Sequence, residues 1–593
     1  MAGSASSPTE YDVALIGSGH QALVAAAYLA RAGKRVVVLE AEPTIGGATR
    51  SGEVTEPGLV HDLYATNLNL FMGSTAWADF GEDLRRHGFE PVTCDHPYAN
   101  VYPGGTSLRV YQDQAKTEAG IGAHSAEDLA GWRELHAKQK RFVPALMPMY
   151  GMPLPSAGAV KSLVAAVRSE GIGGLLEHGK TLAMSTRELG DAYFATPELK
   201  SLLACWGMHL DYGPDVSFGA MFPYVETFGD MEAGITLAKG GISTLPEALA
   251  GIVVEHGGEV RTGARVARVL VSGGRAVGVE LDGAEQVRVA DGGAVVAGTD
   301  PAVLVETLLA GEPAVRETTR AAAKRWANGP GTLMVHLALE RPLTWAAHED
   351  LTDFAYVHIA PYVDDLARTF QQSLAGLLPD APLLVVGQTS QVDPTRSPDG
   401  RAVVWVQVRT VPYEVRGDAA GRIAGTDWDA IKEEFADRVL DIIEEHAPGA
   451  KASVRARTVY SPVDLERSNA NLVRGDSVAG SHHVAQNFVF RPWPGASTYR
   501  TDVTGLWLCG AGTWPGGGTN AMSGYHVAQA ILRGAPSGPA ATGWDAGLLS
   551  AAGSAIGGAF TGAVGAAGKV ASGVAGRLGG VIGRRFNGTG RAR

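Results

Sequence analysis

The sequence has little cysteine. Its three cysteines, Cys94, Cys205 and Cys509, lie far apart in 593 residues and form no C-x-x-C pair. Neither the disulfide framework of a small secreted domain nor a cysteine-based zinc site is therefore expected. The adjacent His482 and His483 also lack a partner at metal-ligand spacing, so no metal is predicted. These absences favour a reducing compartment, and we expect a cytoplasmic protein that can be peripheral to a membrane.

Two further features are missing from the sequence. The first ten residues have no basic segment followed by an apolar one, so no secretory signal is expected. Acidic residues outnumber basic ones, 62 against 50, for a net charge of −12, and no Lys/Arg run in the main body would follow a phosphate backbone. Nucleic acid is therefore not expected as a partner. The sequence does contain enough apolar residues for a large core. A chain of 593 residues with 45% hydrophobic residues is expected to form at least two packed units.

A strand, a glycine-rich turn, a helix and a second strand open the chain. Residues 11–16 (YDVALI) are typical of a buried strand, 21–31 of a helix rich in Ala and Leu, and 35–39 of a second strand. Such a unit requires a parallel sheet and a right-handed crossover. The turn at residues 17–22 has the pattern G-x-G-x-x-A, which is typical of dinucleotide-binding sites in this context.

The small residues of this turn suit a pyrophosphate. Gly17 permits the tight turn, Gly19 lets the backbone approach the phosphates, and Ala22 lets the helix pack on the sheet. The N–H groups at the start of the helix attract anions. Glu40 ends the second strand, where a carboxylate accepts hydrogen bonds from ribose hydroxyls. The unit therefore predicts a bound dinucleotide, although it does not distinguish NAD from FAD.

Two other glycine-rich segments favour FAD. Gly46 and Gly47 follow the second strand closely and can lie along a second phosphate or the flavin, although an ordinary glycine turn has the same spacing. Near the far end, an apolar strand at 506–509 leads into residues 510–520 (GAGTWPGGGTN) and then into a helix. A helix N-terminus at this point would stabilise the negative charge that gathers on the pyrimidine end of a reduced flavin.

Together these segments resemble the phytoene desaturase family of FAD enzymes, which belongs to the flavin amine oxidase superfamily and includes carotenoid desaturases and ketolases. The resemblance covers about residues 10–533. Besides the segments above, it rests on Lys239-Gly240-Gly241, on residues 262–269 (TGARVARV) and on residues 509–518. It implies that the backbone of Val266 contacts the adenine side and that the 510–520 loop lies against the flavin. Where the family often has His, this chain has Trp514, so no mechanism is carried over through that side chain.

The motifs and the resemblance predict FAD as the cofactor and assign it a set of binding residues, whereas no catalytic residue is predicted. The predicted cofactor-binding residues are Gly17, Ser18, Gly19, His20, Ala22, Glu40, Ala41, Gly46, Gly47, Ala48, Val266, Gly510, Gly512, Gly517, Gly518 and Thr519.

The predicted fold class is α/β, with a Rossmann-like FAD-binding domain of the GR2 type, an interleaved α+β substrate domain and a Gly/Ala-rich C-terminal tail. The active site is expected between the two domains, with Trp514, Tyr525 and parts of a helical insert lining it. The predicted segments are 10–116, 236–300 and 485–533 for the FAD domain, 117–235 for a helical insert facing substrate or membrane, 301–484 for the substrate domain, and 534–593 for a linker and basic tail.

Three functions stay open. The resemblance implies desaturation, isomerisation or oxidation of a long apolar isoprenoid or carotenoid-like substrate, with oxygen or a quinone as electron acceptor. A flavin amine oxidase is the enzymatic alternative. A flavin-bearing binding or scaffold protein without catalysis is the third, since a fold does not fix a function.

The tail contrasts with the acidic body. Residues 548–568 carry no charge, and the tail then has six basic residues against one acid, Asp545, for a net charge of +5. Its many Gly and Ser residues disfavour a membrane-spanning helix. A flexible tail, a segment attracted to an anionic membrane surface and a docking peptide for a protein partner are all compatible with this composition.

Overall fold

Two seven-stranded sheets form the framework of this computed structural model, which describes residues 10–539. The predicted tail, apart from the start of its linker, lies outside the described residues. The strands are β1 (Tyr11–Ile16), β2 (Val36–Leu39), β3 (Ser51–Gly52), β4 (His61–Asp62), β5 (Pro91–Cys94), β6 (Tyr98–Tyr102), β7 (Thr106–Val110), β8 (Ile235–Ala238), β9 (Glu259–Arg261), β10 (Val266–Ser272), β11 (Arg275–Leu281), β12 (Gln286–Ala297), β13 (Gly331–Leu339), β14 (Tyr356–Ile359), β15 (Leu377–Leu378), β16 (Leu383–Gly387), β17 (Ala402–Val411), β18 (Gly417–Asp418), β19 (Val454–Tyr460) and β20 (Leu506–Leu508).

Helices cover both sheets and form a separate cluster between β7 and β8. They are α1 (His20–Arg31), α2 (Asn69–Met72), α3 (Thr75–Arg86), α4 (Gln114–His124), α5 (Ala126–Leu146), α6 (Ala157–Ala183), α7 (Thr186–Tyr193), α8 (Pro197–Gly207), α9 (Met221–Ala233), α10 (Thr244–Glu255), α11 (Pro301–Val303), α12 (Glu317–Ala323), α13 (Val363–Leu374), α14 (Thr389–Val392), α15 (Trp428–His446), α16 (Ala450–Ser453), α17 (Pro462–Ser468) and α18 (Met522–Leu532).

The first sheet has a parallel core made from distant parts of the chain. β1 pairs in parallel with β2 and with the end of β12, which pairs with β20, while β9 extends the sheet beyond β2. The Val, Ile and Leu side chains of these strands are buried because helices α1, α10 and α18 cover one face. The predicted α/β class is confirmed by this sheet.

The second sheet is largely antiparallel, in the order β19-β13-β17-β16-β14-β6-β7. Alternate residues of β17 face opposite sides, as the two-residue period of a strand requires. Val404, Val406 and Val408 pack with helix α15 in one apolar core. Trp405, on the opposite face, packs in the core that contains the helical insert. The second sheet therefore presents one face to a closed core and the other to the insert and the first sheet.

The strands at 91–110 depart from the predicted division of the chain. They fall within the segment predicted for the FAD domain (10–116), yet β6 and β7 form an edge of the second sheet, and β5 pairs with β8 instead of joining the first sheet. No sequence motif indicates that the chain passes from the first sheet to the second here. The position of β6 depends on its pairing with β14, which is far away in the chain.

Helices α4 to α9 make up the insert. α6 is broken at Gly171, which has a positive φ of 69°, and it exposes three large apolar side chains, Leu163, Ile172 and Leu176. Within residues 10–539, none of the helices combines the length and the apolar character needed to cross a bilayer.

Candidate functional site

A cavity of about 790 Å³ is lined by residues of both sheets and of the helical insert. One part of it follows the β1–α1 turn, the end of β2 and the start of β10. The other part lies against β16, β17 and the ends of α8 and α9. We refer to these parts as the cofactor half and the substrate half.

The β1–α1 turn is tied to the end of β2 by the Glu40 carboxylate. Its Oε2 accepts hydrogen bonds from the Ser18 backbone N–H (2.8 Å) and the Ser18 hydroxyl (2.5 Å), and Oε1 accepts from the Glu42 N–H (2.9 Å). Glu40 is 8% exposed and lines the cavity. The carboxylate is thus held beside the phosphate turn, where its remaining lone pairs can accept from ribose hydroxyls.

Gly19 and Gly510 leave open space towards the cavity. A Cβ built at either position would meet nothing within 4 Å. Both residues line the cavity, so their missing side chains enlarge it. The space at Gly19 lies at the N-terminus of α1, where free N–H groups and the helix dipole attract phosphate. This is the cradle that a pyrophosphate requires.

Gly46 and Gly47 mainly contact the β1–α1 turn of the protein. The Gly46 N–H donates to Ser18 O (3.2 Å) and Ser18 Oγ (3.1 Å), and a Cβ on Gly47 would come within 3.2 Å of Gly19 Cα. The glycine pair therefore packs directly against the phosphate turn. Gly47 lines the cavity, whereas Gly46 lies behind it.

The loop at 510–520 is anchored at both ends. Gln21 on α1 donates from Nε2 to Asn520 O (2.6 Å) and Oδ1 (2.8 Å) and accepts from the Gly524 N–H (3.0 Å). The buried Arg491 guanidinium donates to Ala511 O (2.8 Å). Burial, aided by nearby cations, lowers the pKa of His482 well below its usual value, so its neutral ring accepts at Nε2 from the Gly517 N–H (3.0 Å). These hydrogen bonds tie the loop to α1 and to the segment at 482–491.

Several buried polar atoms that line the cavity have no hydrogen-bond partner among residues 10–539. They are His20 Nε2, Arg50 Nε, Thr66 Oγ1 and Thr299 Oγ1. Buried polar groups normally have partners, so these atoms indicate a polar ligand. Their number, the open cradle at Gly19 and the position of Glu40 fit a large dinucleotide such as FAD.

The substrate half is mainly apolar and aromatic. Its large side chains come from the insert and from the second sheet: Trp206, Leu210, Phe222, Tyr356, Val385 and Trp405. Polar residues interrupt this surface, among them His209, Glu226, Gln407, Arg409 and Ser477. An apolar molecule with a limited number of polar atoms would match this lining.

Glu226 is the acid of the substrate half. Burial raises its pKa to about 7, so the carboxyl can gain or lose a proton near neutral pH. Asp230 lies one turn further along α9. Burial and the nearby Glu226 raise the pKa of Asp230 well above its usual value. Asp230 instead accepts from Asn69 Nδ2 (2.7 Å) and does not line the cavity. Glu226 is therefore the carboxyl of this helix that a substrate can reach.

The sequence-predicted cofactor residues converge on the cavity: all except Gly46 line it. The expectation that Trp514 and Tyr525 line the active site is wrong. The Trp514 indole donates to Met152 O (2.9 Å) and packs against Tyr150 and Phe488, while Tyr525 packs against Tyr28. These contacts hold both rings away from the cavity.

Sequence reasoning missed further lining residues: Thr44, Arg50, Arg265, Thr299, Asp300, Asn469 and Asn471. Arg50 could have been predicted as a cavity residue, because it follows the Gly46–Gly47 pair closely in the sequence. Its Nη2 donates to the Tyr64 hydroxyl (2.8 Å) and Ser468 O (3.0 Å), which leaves Nε for a ligand. Asn469 and Asn471 could not have been predicted, since they follow α17 of the other domain.

The sequence matches the family described as flavin containing amine oxidoreductase over residues 23–532. Among curated proteins, it is 30% identical to a Rattus norvegicus protein named pyridine nucleotide-disulfide oxidoreductase domain-containing protein 2, over 88% of this chain and 94% of that protein. It is 27% identical to a limonene dehydrogenase component of Castellaniella defragrans (88% and 94% covered) and 25% identical to a neurosporene-forming phytoene desaturase of Cereibacter sphaeroides (89% and 95%).

Solved structures share the fold at low sequence identity. A putrescine oxidase bound to putrescine superposes with a TM-score of 0.55 at 15% identity, covering 88% of this chain and 99% of that one. An oxidoreductase from Methanosarcina mazei gives a TM-score of 0.55 at 14% identity with the same coverage. At these identities the likeness establishes the fold alone.

Proposed function

Because the chain belongs to the flavin-containing amine oxidoreductase family and is an FAD-dependent oxidoreductase of that superfamily, we propose that it desaturates, isomerises or oxidises a long apolar isoprenoid. The predictions of FAD as cofactor and of a resemblance to phytoene desaturases are confirmed. The substrate class is our inference. It is carried by the aromatic and aliphatic lining of the substrate half.

The same lining argues against a cationic amine as substrate. Burial raises the pKa of Glu226 to about 7, so this carboxyl offers an ammonium group only part of a negative charge at neutral pH. Arg409, which is 4% exposed, adds a positive charge to the same half of the cavity. A like charge in a buried site repels an ammonium group. The similarity to limonene dehydrogenase and phytoene desaturase proteins also favours the isoprenoid.

In the proposed reaction, FAD would supply the two-electron acceptor when bound, and we propose oxygen or a quinone as the final acceptor. The chain's own residues hold and orient the two reactants. The backbone at Gly17 to Ala22, Glu40 and the 510–519 loop would hold the cofactor, while Trp206, Tyr356 and Trp405 would position the apolar substrate and exclude water.

Glu226 is our candidate proton acceptor. When a C=C bond forms, one carbon loses a hydride and its neighbour loses a proton, and a carboxylate oxygen of Glu226 would take that proton. A group with a pKa near the working pH is suited to this task.

The proposal is tested by anaerobic bleaching of the bound flavin. Purified protein is mixed, without oxygen, with phytoene, geranylgeraniol, limonene or putrescine, and the flavin absorbance is followed. We expect isoprenoids to bleach the flavin and putrescine to leave it oxidised. Bleaching by putrescine alone would establish the amine oxidase alternative, and bleaching by none of a wide panel would favour the non-catalytic one.

A further inference from the structure

Two polar side chains of β17, Gln407 and Arg409, line the cavity with hydrogen-bonding groups left over. They are two positions apart, and with Trp405 they occupy one face of the strand. Arg409 donates from Nε to Met208 O (3.0 Å) and from Nη1 to Ser477 Oγ (3.0 Å). Within residues 10–539, Arg409 Nη2 and the Gln407 carboxamide make no hydrogen bond.

Both side chains are buried, at 4% exposed for Arg409 and 8% for Gln407. Their free nitrogen and oxygen atoms reach the cavity, where no group of the described residues is paired with them. The open donors face a cavity, so a bound molecule can supply the missing acceptors. The arrangement thus has the two properties of a ligand subsite, which are unsatisfied polar groups and space beside them.

The charge of Arg409 is only partly compensated by the protein. In the described part of the chain no carboxylate forms an ion pair with it, although Asp211 and Asp476 act on it from a greater distance. Both acids already accept hydrogen bonds from backbone N–H groups. Burial lowers the pKa of Arg409 to about 10, so the guanidinium stays protonated at neutral pH.

We propose that Arg409 and Gln407 bind the carboxylate of an otherwise apolar substrate, an inference that rests on the proposed function for the apolar part. Arg409 Nη2 and the Gln407 amide nitrogen each donate to the carboxylate, while Trp405 and its aromatic neighbours pack along the chain. A dianionic phosphate fits less well, because Asp211 and Asp476 lie nearby. The substrate class is thereby narrowed to isoprenoid or similar long-chain carboxylic acids.

The first test uses the FAD-loaded wild-type protein. Farnesoic acid, methyl farnesoate and farnesol share one chain and differ only in the head group. Titration calorimetry is expected to give about tenfold tighter binding for the ionised acid than for the ester or the alcohol, the worth of one charge-assisted hydrogen bond. Equal affinity for the three compounds would overturn the proposal, whatever happens to any variant.

The second test uses variants. Arg409→Gln is expected to reduce the preference for the acid to within about twofold while flavin content and the flavin absorption spectrum stay unchanged, and Arg409→Lys should keep part of the preference. Arg467→Gln is the control, since it removes an exposed arginine paired with Asp429 outside the cavity. Loss of FAD from a folded Arg409→Gln protein would assign Arg409 to the cofactor and contradict the inference.

Failure of this inference differs from failure of the proposed function. If all three farnesyl compounds bind equally and bleach the flavin, the isoprenoid function stands and the carboxylate subsite falls. If none of them binds but hexanoate binds wild-type protein and not Arg409→Gln, the carboxylate subsite stands and the isoprenoid function falls.

Discussion

The two halves of the cavity are built by different parts of the polypeptide. The cofactor half relies on backbone: the open space at Gly19 and Gly510, the N–H groups at the start of α1 and one carboxylate, Glu40. The substrate half relies on side chains from the second sheet and the insert, such as Trp206, Tyr356 and Trp405. A backbone-built site constrains short, contiguous segments, whereas a side-chain-built site can be assembled from many sequences. In this protein, the cofactor is therefore easier to infer from the sequence than the substrate is.

The strongest test of a backbone-built cofactor half is Gly19→Val. Gly19 has an ordinary φ of −58°, and a Cβ there meets no protein atom within 4 Å, so the variant should fold. Its side chain would instead occupy the phosphate cradle, and we expect no bound FAD. The measurement is flavin released by acid from purified protein.

Gly173→Val is the matched control for this substitution. It lies in helix α6, where a Cβ also meets nothing within 4 Å, and it does not line the cavity. The control should keep a full complement of FAD. A folded Gly19→Val protein with normal flavin content would refute the cradle.

In the substrate half, the largest effect is expected from Glu226→Gln. If Glu226 accepts the proton, its loss should slow substrate-dependent flavin reduction roughly 100-fold or more. The wild-type rate should rise with pH through about 7, because the carboxylate is the active form and burial raises the pKa to that range. The variant should lose this pH dependence, which stopped-flow absorbance can follow. If the Glu226→Gln variant keeps the wild-type pH profile, Glu226 is not the proton acceptor.

A smaller effect on the cofactor half is expected from Glu40→Ala. The substitution removes an acceptor for ribose and the two hydrogen bonds to Ser18. FAD affinity should weaken by about 1–3 kcal/mol, which is roughly fivefold to 150-fold. Glu42→Ala is the control, because Glu42 also lines the cavity but does not bind the turn. Equal losses in both variants, measured by titrating FAD into apoprotein, would mean that general negative charge matters and not the position of Glu40.

The smallest effect is expected from Trp405→Leu, which separates the halves. The indole lines the substrate half, and its Nε1 donates to Tyr64 O (3.1 Å). Loss of aromatic contact area should weaken the binding of an apolar substrate by about 1 kcal/mol, a several-fold change in Kd. The affinity for FAD should stay as in wild type. Weakened FAD binding in this variant would show that the two halves are not separable.

The sequence allowed the prediction of β1, α1 and β2 almost to the residue, because apolar runs and the glycine turn determine them locally. It also supplied Glu40 and the 510–519 loop. Arg409, Glu226 and Trp405 could not be predicted as cavity residues, since their positions depend on pairing between β13, β16 and β17 and on how the insert packs. Gly46 shows the intermediate case: the motif was recognised, but its contact proved to be with Ser18 rather than with the cavity.

The hydrogen bonds from Gln21 to Asn520 and Gly524 join positions some 500 residues apart in the chain. β1 and α1 are therefore translated long before β20 and α18, on which they pack. Helix α1 packs against α10 as well as α18, so only part of its apolar surface has to wait for residues 522–532. The cofactor half is therefore complete only when residues 17–22 and residues 510–519 are folded together, so a fragment that ends before residue 510 lacks part of the flavin site.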